Sequence, residues 1–485
     1  FYCVNNHAII HTSSAITRGD TVSKSLELRF ERYCDPIIEA LAHADRREPA
    51  QWYLKGLMLP GERKSVEPMA ARVHPQNVRS AHQSMHHLVA DAAWSDQAVL
   101  AAVARQVVPK LLKQDEPCWW ILDDTGHAKK GQHSVGVARQ YCGRLGKTEN
   151  CQVAVSLSLA NDVGSVPLAY QLYLPQEWAK DRKRRERAGV PPEIGFQTKG
   201  EIAREQIAAA LAAGVPRGIV LADAAYGDET DFRDWLVEQQ LDYVLAVRAN
   251  TTLWWGKHQP ARAPAPARRG RPRTRLVRDA QHQPIAVSEL ARALPAKSWR
   301  NLTWREGTAG ALSSRFARLR VRAAHGDRPR EPQWLLIEWP TQAPEPTHYW
   351  LSTLPESLSF KALVAHAKGR WRIERDYEEL KSELGLSHYE GRNWRGFHHH
   401  ATLCIAAYGF LMIERLGGKK NSVRFPLPAL PKGFRPRGAR ADAASCAVVD
   451  RHRALSPRAR DRSHAALLPV LRNNSTRTNQ TLLTQ

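Results

Sequence analysis

The sequence predicts an α/β protein in which a mixed-sheet core carries a β-rich insertion and is preceded by a helical module. Three observations lead there. Apolar residues recur at helical spacing from residue 25 to about 115, the period falls to two from residue 118, and from about 199 helical stretches alternate with short, wholly apolar runs. Runs that are apolar on both sides of the pleat belong in a sheet covered on both faces.

Taken in order, an uncertain leader (1–24) precedes LELRFERYCDPIIEALAHA, SAHQSMHHLVADAAW and SDQAVLAAVARQVVPKLL. These read as helices separated by Pro and Gly punctuation such as LPGERKSVEP, and they define a helical N-terminal domain over 25–115. The core opens with CWWILDD (118–124), an apolar run ending in acids, then HSVGVARQY (133–141) and CQVAVSLSLA (151–160). These three runs are expected to pair as an antiparallel meander. After VPLAYQLYL and the basic KDRKRRERAG come the helix KGEIAREQIAAALAAG, the strand GIVLAD (218–223), the helix ETDFRDWLVEQQ and the strand DYVLAVR. A meander followed by alternating helices and strands is an RNase-H-like order rather than a Rossmann one, and it sets the first part of the core at 116–250.

From 251 to 355 the text turns to Trp, Arg, Pro and short alternating runs (RFARLRVRAA, QWLLIEWP, HYWLST), the signature of a β-rich insertion with a basic loop. Residues 356–416 return to the core as helices. RWRIERDYEELKSELG (370–385) places Ile373, Tyr377, Leu380 and Leu384 on one side, the buried stripe of an amphipathic helix. ATLCIAAYGFLMI (401–413) is apolar all round and too short to cross a bilayer, so it reads as a buried helix. The tail, 417–485, lacks periodicity and is expected to be disordered.

Among 485 residues, 71 Lys and Arg against 48 Asp and Glu leave a net charge of +23. Such an excess selects polyanionic partners, nucleic acid or an acidic membrane surface. It is unevenly spread. Residues 417–485 hold 14 basic and 3 acidic residues, and 262–278 hold seven arginines and no acid, so the remainder is nearly balanced. Seven cysteines without a CxxC pair suggest neither a disulfide framework nor a zinc site, and a reducing cytoplasmic setting is expected.

Three acidic positions stand where an open α/β sheet builds its sites: Asp123 or Asp124 closing the first strand, Asp223 closing GIVLAD, and Glu374 on the later helix. Converging carboxylates stay ionised together only with cations, and hard oxygen donors select Mg2+ or Mn2+. Two such ions would activate a water or 3′-hydroxyl and stabilise the leaving oxygen of a phosphodiester. The period of two sends Asp123 and Asp124 to opposite faces, so one of them serves as ligand and the other as a capping or turn acid. Arg370 and Lys381 either face phosphates or pair with Glu374 and Glu378 as a helix charge ladder. Lys129 and Lys130 either line the same edge or are solvated charges of a hairpin. ARRGRPRTR (267–275), with Arg269 and Arg271, resembles a minor-groove hook but also reads as a plain basic loop. The three consecutive imidazoles at 398–400 point in different directions and do not make a joint metal site.

ILDDTGHAKKG, SVGVARQYCGRLGKTENCQVAVSLSLA, LYLPQEWAKDRKRRERAGVP, VLADAAYG and RWRIERDYEELKSELGL together resemble blocks of the DDE transposases of bacterial insertion sequences, within the RNase-H-like integrase superfamily. The resemblance runs from about residue 28 to 416, and it implies that the helical N-terminal domain, 25–115, is the DNA-binding domain for the end sequence. It implies Asp124, which directly precedes a Thr, Asp223 of the AD-x-x-Y-G block, and Glu374 as catalytic residues and ligands of two Mg2+ or Mn2+ ions. It implies Arg370 and Lys381 as members of a Tyr/Arg/Glu/Lys signature, whose Tyr position is here Ala367. The implied activity is cleavage and joining of double-stranded DNA at terminal inverted repeats and into target DNA, by a homodimer and without a membrane partner. A DNA-binding relative without catalysis, or a nuclease without strand transfer, are the alternatives.

Overall fold

The computed structural model describes residues 16–113, 116–258, 282–307, 310–325 and 330–417. The first fifteen residues, the basic loop with Arg269 and Arg271, and 418–485 lie outside the described residues.

Helices α1 (Ile16–Ala40), α2 (Arg47–Met58), α3 (Val66–Val73), α4 (Val78–Ala90) and α5 (Asp96–Leu111) come first. Polar caps start two of them: Asn77 accepts the Ser80 N–H and Ser95 accepts the Ala98 N–H. Their apolar stripes are buried, with Phe30, Ile37, Leu54, Met69, Met85, Val99 and Val103 all inaccessible or nearly so.

The sheet begins with β1 (Trp119–Ala128), β2 (Ala138–Cys142), β3 (Lys147–Ala160) and β4 (Ser165–Leu172). Short helices α6 (Gln176–Lys180) and α7 (Arg182–Ala188) lead to α8 (Lys199–Ala212), β5 (Ile219–Ala222), α9 (Ala224–Gly227), α10 (Thr230–Glu238) and β6 (Tyr243–Val247). There follow β7 (Thr252–Trp254), β8 (Ile285–Ala286), α11 (Val287–Ala293), β9 (Arg300–Gly307), β10 (Gly310–Ala323), β11 (Gln333–Glu338) and β12 (His348–Ser352). Helices α12 (Phe360–Lys368), α13 (Trp371–Ser382) and α14 (Trp394–Leu416) close the described chain.

Among the described residues the strands form one mixed sheet, β2-β3-β1-β5-β6-β12-β11-β10-β7-β8, with β4 on β3 and β9 on β10. The expected meander needs correction. The second run forms strand only from Ala138, and the third, not the second, pairs with the first. The reason is length: β3 is fourteen residues long, so one of its edges holds both β2 and β4 while the other is left to β1. β1, β5 and β6 are parallel, as expected where helices cross over between strands. β12, β11 and β10 then continue the same sheet antiparallel from β6.

Helix α14 is buried on every side, which explains the unbroken apolar text of its centre. It ties the first helices to the sheet. Arg29 grips Glu414 through two bonds of 2.8 and 2.7 Å, and the Tyr33 hydroxyl donates to Ala406 O at 2.7 Å. No helix among the described residues is long and apolar enough to cross a membrane.

Candidate active site

Strand register brings the acids together. β1 and β5 run parallel with Ile121 opposite Leu221, so two residues further along each chain come Asp123 and Asp223. β5 stops at Ala222, whereas β1 continues to Ala128 against β3. The aspartates of β1 therefore sit in mid-strand, beside the point where its parallel neighbour ends and leaves an open edge. Asp223 turns the chain into α9 and caps it, its Oδ1 accepting the Ala225 N–H at 2.9 Å.

Alternation sends the two aspartates of β1 to different faces. Asp123 takes the face of α13: its Oδ1 accepts from Arg370 Nη1 at 2.8 Å, and Ser156, its partner across β3, is hydrogen-bonded to Tyr377 of α13. Asp123 is thus no turn acid. Asp124 takes the face of α8, where it pairs with Lys199 and accepts the Tyr226 hydroxyl at 2.5 Å.

Helix α13 delivers the third acid. Ile373, Tyr377, Leu380 and Leu384 are all buried, so the helix is pinned along its apolar stripe and Glu374 is turned outward, two-thirds exposed. The Arg370 guanidinium bridges: Nη1 holds Asp123 while Nη2 lies 3.5 Å from Glu374 Oε1. The rigid fork keeps those two carboxylate oxygens within about 9 Å of each other. Asp223, Arg370 and Glu374 also line one cavity of about 630 Å3, together with Arg248, His348 and Trp371. Ala367 opens onto the same cavity with only a methyl group.

The charges feel one another. Burial pushes the Asp123 carboxyl up to about 6; Arg370 opposes this, and the neighbouring Asp223 and Asp124 add to it. Burial would weaken Arg370 as a base, but Asp123, Asp223 and Glu374 outweigh it and raise its pKa. The Tyr226 hydroxyl is held well above its ordinary value by burial and by Asp124, so it stays a donor.

Every acidic donor here is a hard oxygen, the chemistry of a divalent-cation site. Two of them are neutralised by protein cations, Asp123 by Arg370 and Asp124 by Lys199. Among the described residues no three His, Cys, Asp or Glu side chains stand close enough to hold an ion jointly. The donor set fits such ions in kind.

The other expected contacts are dispersed. Lys381 lies over the Tyr377 ring, 5.6 Å from its centroid. Lys129 is half-buried and donates to Tyr389 O at 2.7 Å, while Lys130 is exposed just past the end of β1. Arg269 and Arg271 are outside the described residues. His398, His399 and His400 are buried among different partners. Sequence reasoning missed Tyr226 and Lys199. Tyr226 was visible as the tyrosine of ADAAYG, and Lys199 as the residue inside the Thr198 and Glu201 capping box that starts α8.

A family model described as DDE superfamily endonuclease matches residues 36–311. Over 190 residues the chain is 33% identical to a protein of Microchaete diplosiphon named as a probable transposase for insertion sequence element IS701. That match covers 39% of this chain and 46% of the relative, so the chain spans about half the relative's length.

Proposed function

The chain belongs to the DDE superfamily of endonucleases, and from that premise we propose that it is a DNA transposase that cleaves and joins strands at the inverted ends of an insertion sequence. Strands β2, β3, β1, β5 and β6 serve as its RNase-H-like core. Asp124, Asp223 and Glu374 are the catalytic acids and would hold two Mg2+ or Mn2+ ions. Once bound, such ions polarise the scissile phosphodiester and activate a water or 3′-hydroxyl.

The chain's own residues prepare that step. Tyr226 and Lys199 hold Asp124 in one orientation from two sides, and α9 holds Asp223. Arg370 fixes α13 against β1, and Arg370 and Lys381 would face the phosphates of the bound DNA. Its partners are double-stranded ends, target DNA and a second copy of the chain, since two ends must be brought together; the setting is the cytoplasm at the nucleoid.

The observation that supports this reading is the β1 to β5 register, which sets Asp123 level with Asp223 and so puts the adjoining Asp124 at the same open sheet edge, although on the face of α8. The test uses purified protein, Mn2+ and a duplex bearing one border of the element that carries the gene. Wild type should nick the border and, with a free 3′-hydroxyl, yield joined product. Asp223→Asn and Glu374→Gln should bind the duplex and leave it whole. Undiminished cleavage by both variants would overturn the proposal, and cleavage without joining would reduce it to a nuclease.

A further inference from the structure

The two oxygens of Asp124 are held by unequal partners. Oδ1 accepts the Tyr226 hydroxyl at 2.5 Å, and that ring is part of the core, 1% exposed and packed against Phe232. Oδ2 carries the Lys199 ammonium, whose side chain is 32% exposed and hangs on a flexible four-carbon stem. The backbone beneath that stem is fixed. Thr198 accepts the Glu201 N–H at 3.2 Å while Glu201 accepts the Thr198 N–H at 2.7 Å, a closed capping box that sets the start of α8. Gly200, the next residue, is buried where a side chain would run into Glu229 at the head of α10. Movement of the ammonium therefore falls to the side chain alone.

Away from Asp124 the protein offers that charge no second home. Among the described residues Asp124 is the one acid within ion-pair distance of Lys199, and Lys199 is the one cation paired with Asp124. Arg370 differs, because it spans Asp123 and Glu374 and keeps one when the other is lost. The Tyr173 ring lies 5.7 Å from Lys199 Nζ and offers a π face, not a charge. On one carboxylate an ammonium and a divalent ion repel twice as strongly as two ammonium groups at the same separation. Uptake of an ion at Asp124 thus favours release of the lysine, and the next anion within the reach of its stem is one that a substrate brings.

We propose that Lys199 is a displaceable counter-ion that couples metal uptake to DNA: it occupies Asp124 in the free protein, gives way to a divalent ion, and then pairs with a phosphate of the bound duplex. This rests on the transposase reading above, with Asp124 as a ligand, and adds to it a control built into that site. Without DNA the lysine competes with the ion. With DNA the ammonium has a second anion, so the duplex tightens the ion and, by linkage, the ion tightens the duplex by the same factor. A neutral side chain at position 199 removes the competition and leaves Asp124 open.

The test follows free Mn2+ by electron paramagnetic resonance in titrations of the full chain as wild type, Lys199→Met, Lys199→Arg and Asp124→Asn. Each protein is titrated alone and with a border duplex already cut and ending in a 3′-deoxynucleotide, which leaves nothing to nick or join; binding by the duplex itself is subtracted. Melting curves in a chelator check that the variants fold. Alone, Lys199→Met should hold Mn2+ roughly tenfold more tightly than wild type, and Lys199→Arg within about twofold of it. The duplex should then tighten Mn2+ roughly tenfold more in wild type than in Lys199→Met, which has no ammonium to release. Mn2+ affinity no higher in Lys199→Met than in wild type, or an equal gain from the duplex in both, would overturn this inference while Asp124 keeps its place as a ligand. A gain in Lys199→Arg equal to that of Lys199→Met would overturn it too, since shape and not charge would then be at work. Mn2+ binding unaltered in Asp124→Asn would instead sink the ligand assignment beneath it.

Discussion

Acidification should loosen α14 before it touches the rest of the core, because two of its histidines must be neutral to fit. His398 donates from Nδ1 to Trp394 O at 2.9 Å and accepts the Leu172 N–H on Nε2 at 3.1 Å. His400 donates from Nε2 to Gly385 O at 2.9 Å and accepts the Tyr53 hydroxyl on Nδ1 at 2.8 Å. The partners assign the tautomers: a second proton on His398 would point a donor at the Leu172 N–H, and one on His400 would force the Tyr53 hydroxyl to give up its donated bond and turn its own proton into the buried surroundings. Burial lowers both to about 4, from an ordinary 6.5.

As the pH falls, the unfolded chain therefore takes up these protons before the folded one does. The stability they allow is complete above about 6.5 and is lost progressively toward 4. A displacement of this size corresponds to about 3 kcal/mol per ring, so the pair can remove much of a domain's usual ~5–15 kcal/mol. The assay is urea unfolding at intervals between pH 7.5 and 4.5 for wild type and His400→Gln, whose amide can both donate and accept. The carboxylates contribute a pH dependence common to both proteins, so the difference isolates the ring. The slope of stability against pH should fall by about one proton in the variant below pH 6.5. Equal slopes would refute the assignment of a neutral, doubly bonded ring.

Two further perturbations address the acids. Tyr226→Phe removes the 2.5 Å bond to Asp124 without changing the ring, and a hydrogen bond to a charged group is worth about 1.5–3 kcal/mol. Border nicking should fall roughly 10- to 100-fold, with duplex binding within twofold; full activity would show that Asp124 needs no such support. Asp123→Asn and Asp124→Asn separate the neighbouring acids. Under the proposed assignment the second abolishes nicking, whereas the first, which loses only its charge partnership with Arg370, retains measurable nicking; the opposite result would move the ligand role to Asp123.

The parts of the fold legible in the sequence are those governed by local period. The stripe Ile373, Tyr377, Leu380 and Leu384 identified α13 because a helix buries one side in every turn, and all four residues are buried. The end of β1 was not legible. D-D-T-G interrupts the apolar run, yet the strand continues because Thr125, Gly126 and His127 are buried and pair with β3, a partner 25 or more residues away. The pairing order failed for the same reason: no local signal says that a fourteen-residue strand will seat two partners along one edge.

The site divides along that line as well. Alternation was enough to say that Asp123 and Asp124 part to opposite faces, but not which face would receive α13. That depends on Tyr377 reaching Ser156 and on Arg370 reaching Asp123, contacts across 221 and 247 residues of chain. Lys199 and Tyr226 converge on Asp124 from 75 and 102 residues away, and neither carries a mark of that destination in its own neighbourhood. Asp123 shares its face with Glu374, while Asp124 holds the lysine and tyrosine contacts on the far side. The two acids therefore divide the labour only if Asp124 reaches past the end of β5, where no strand flanks β1 beyond Ile121 on that side.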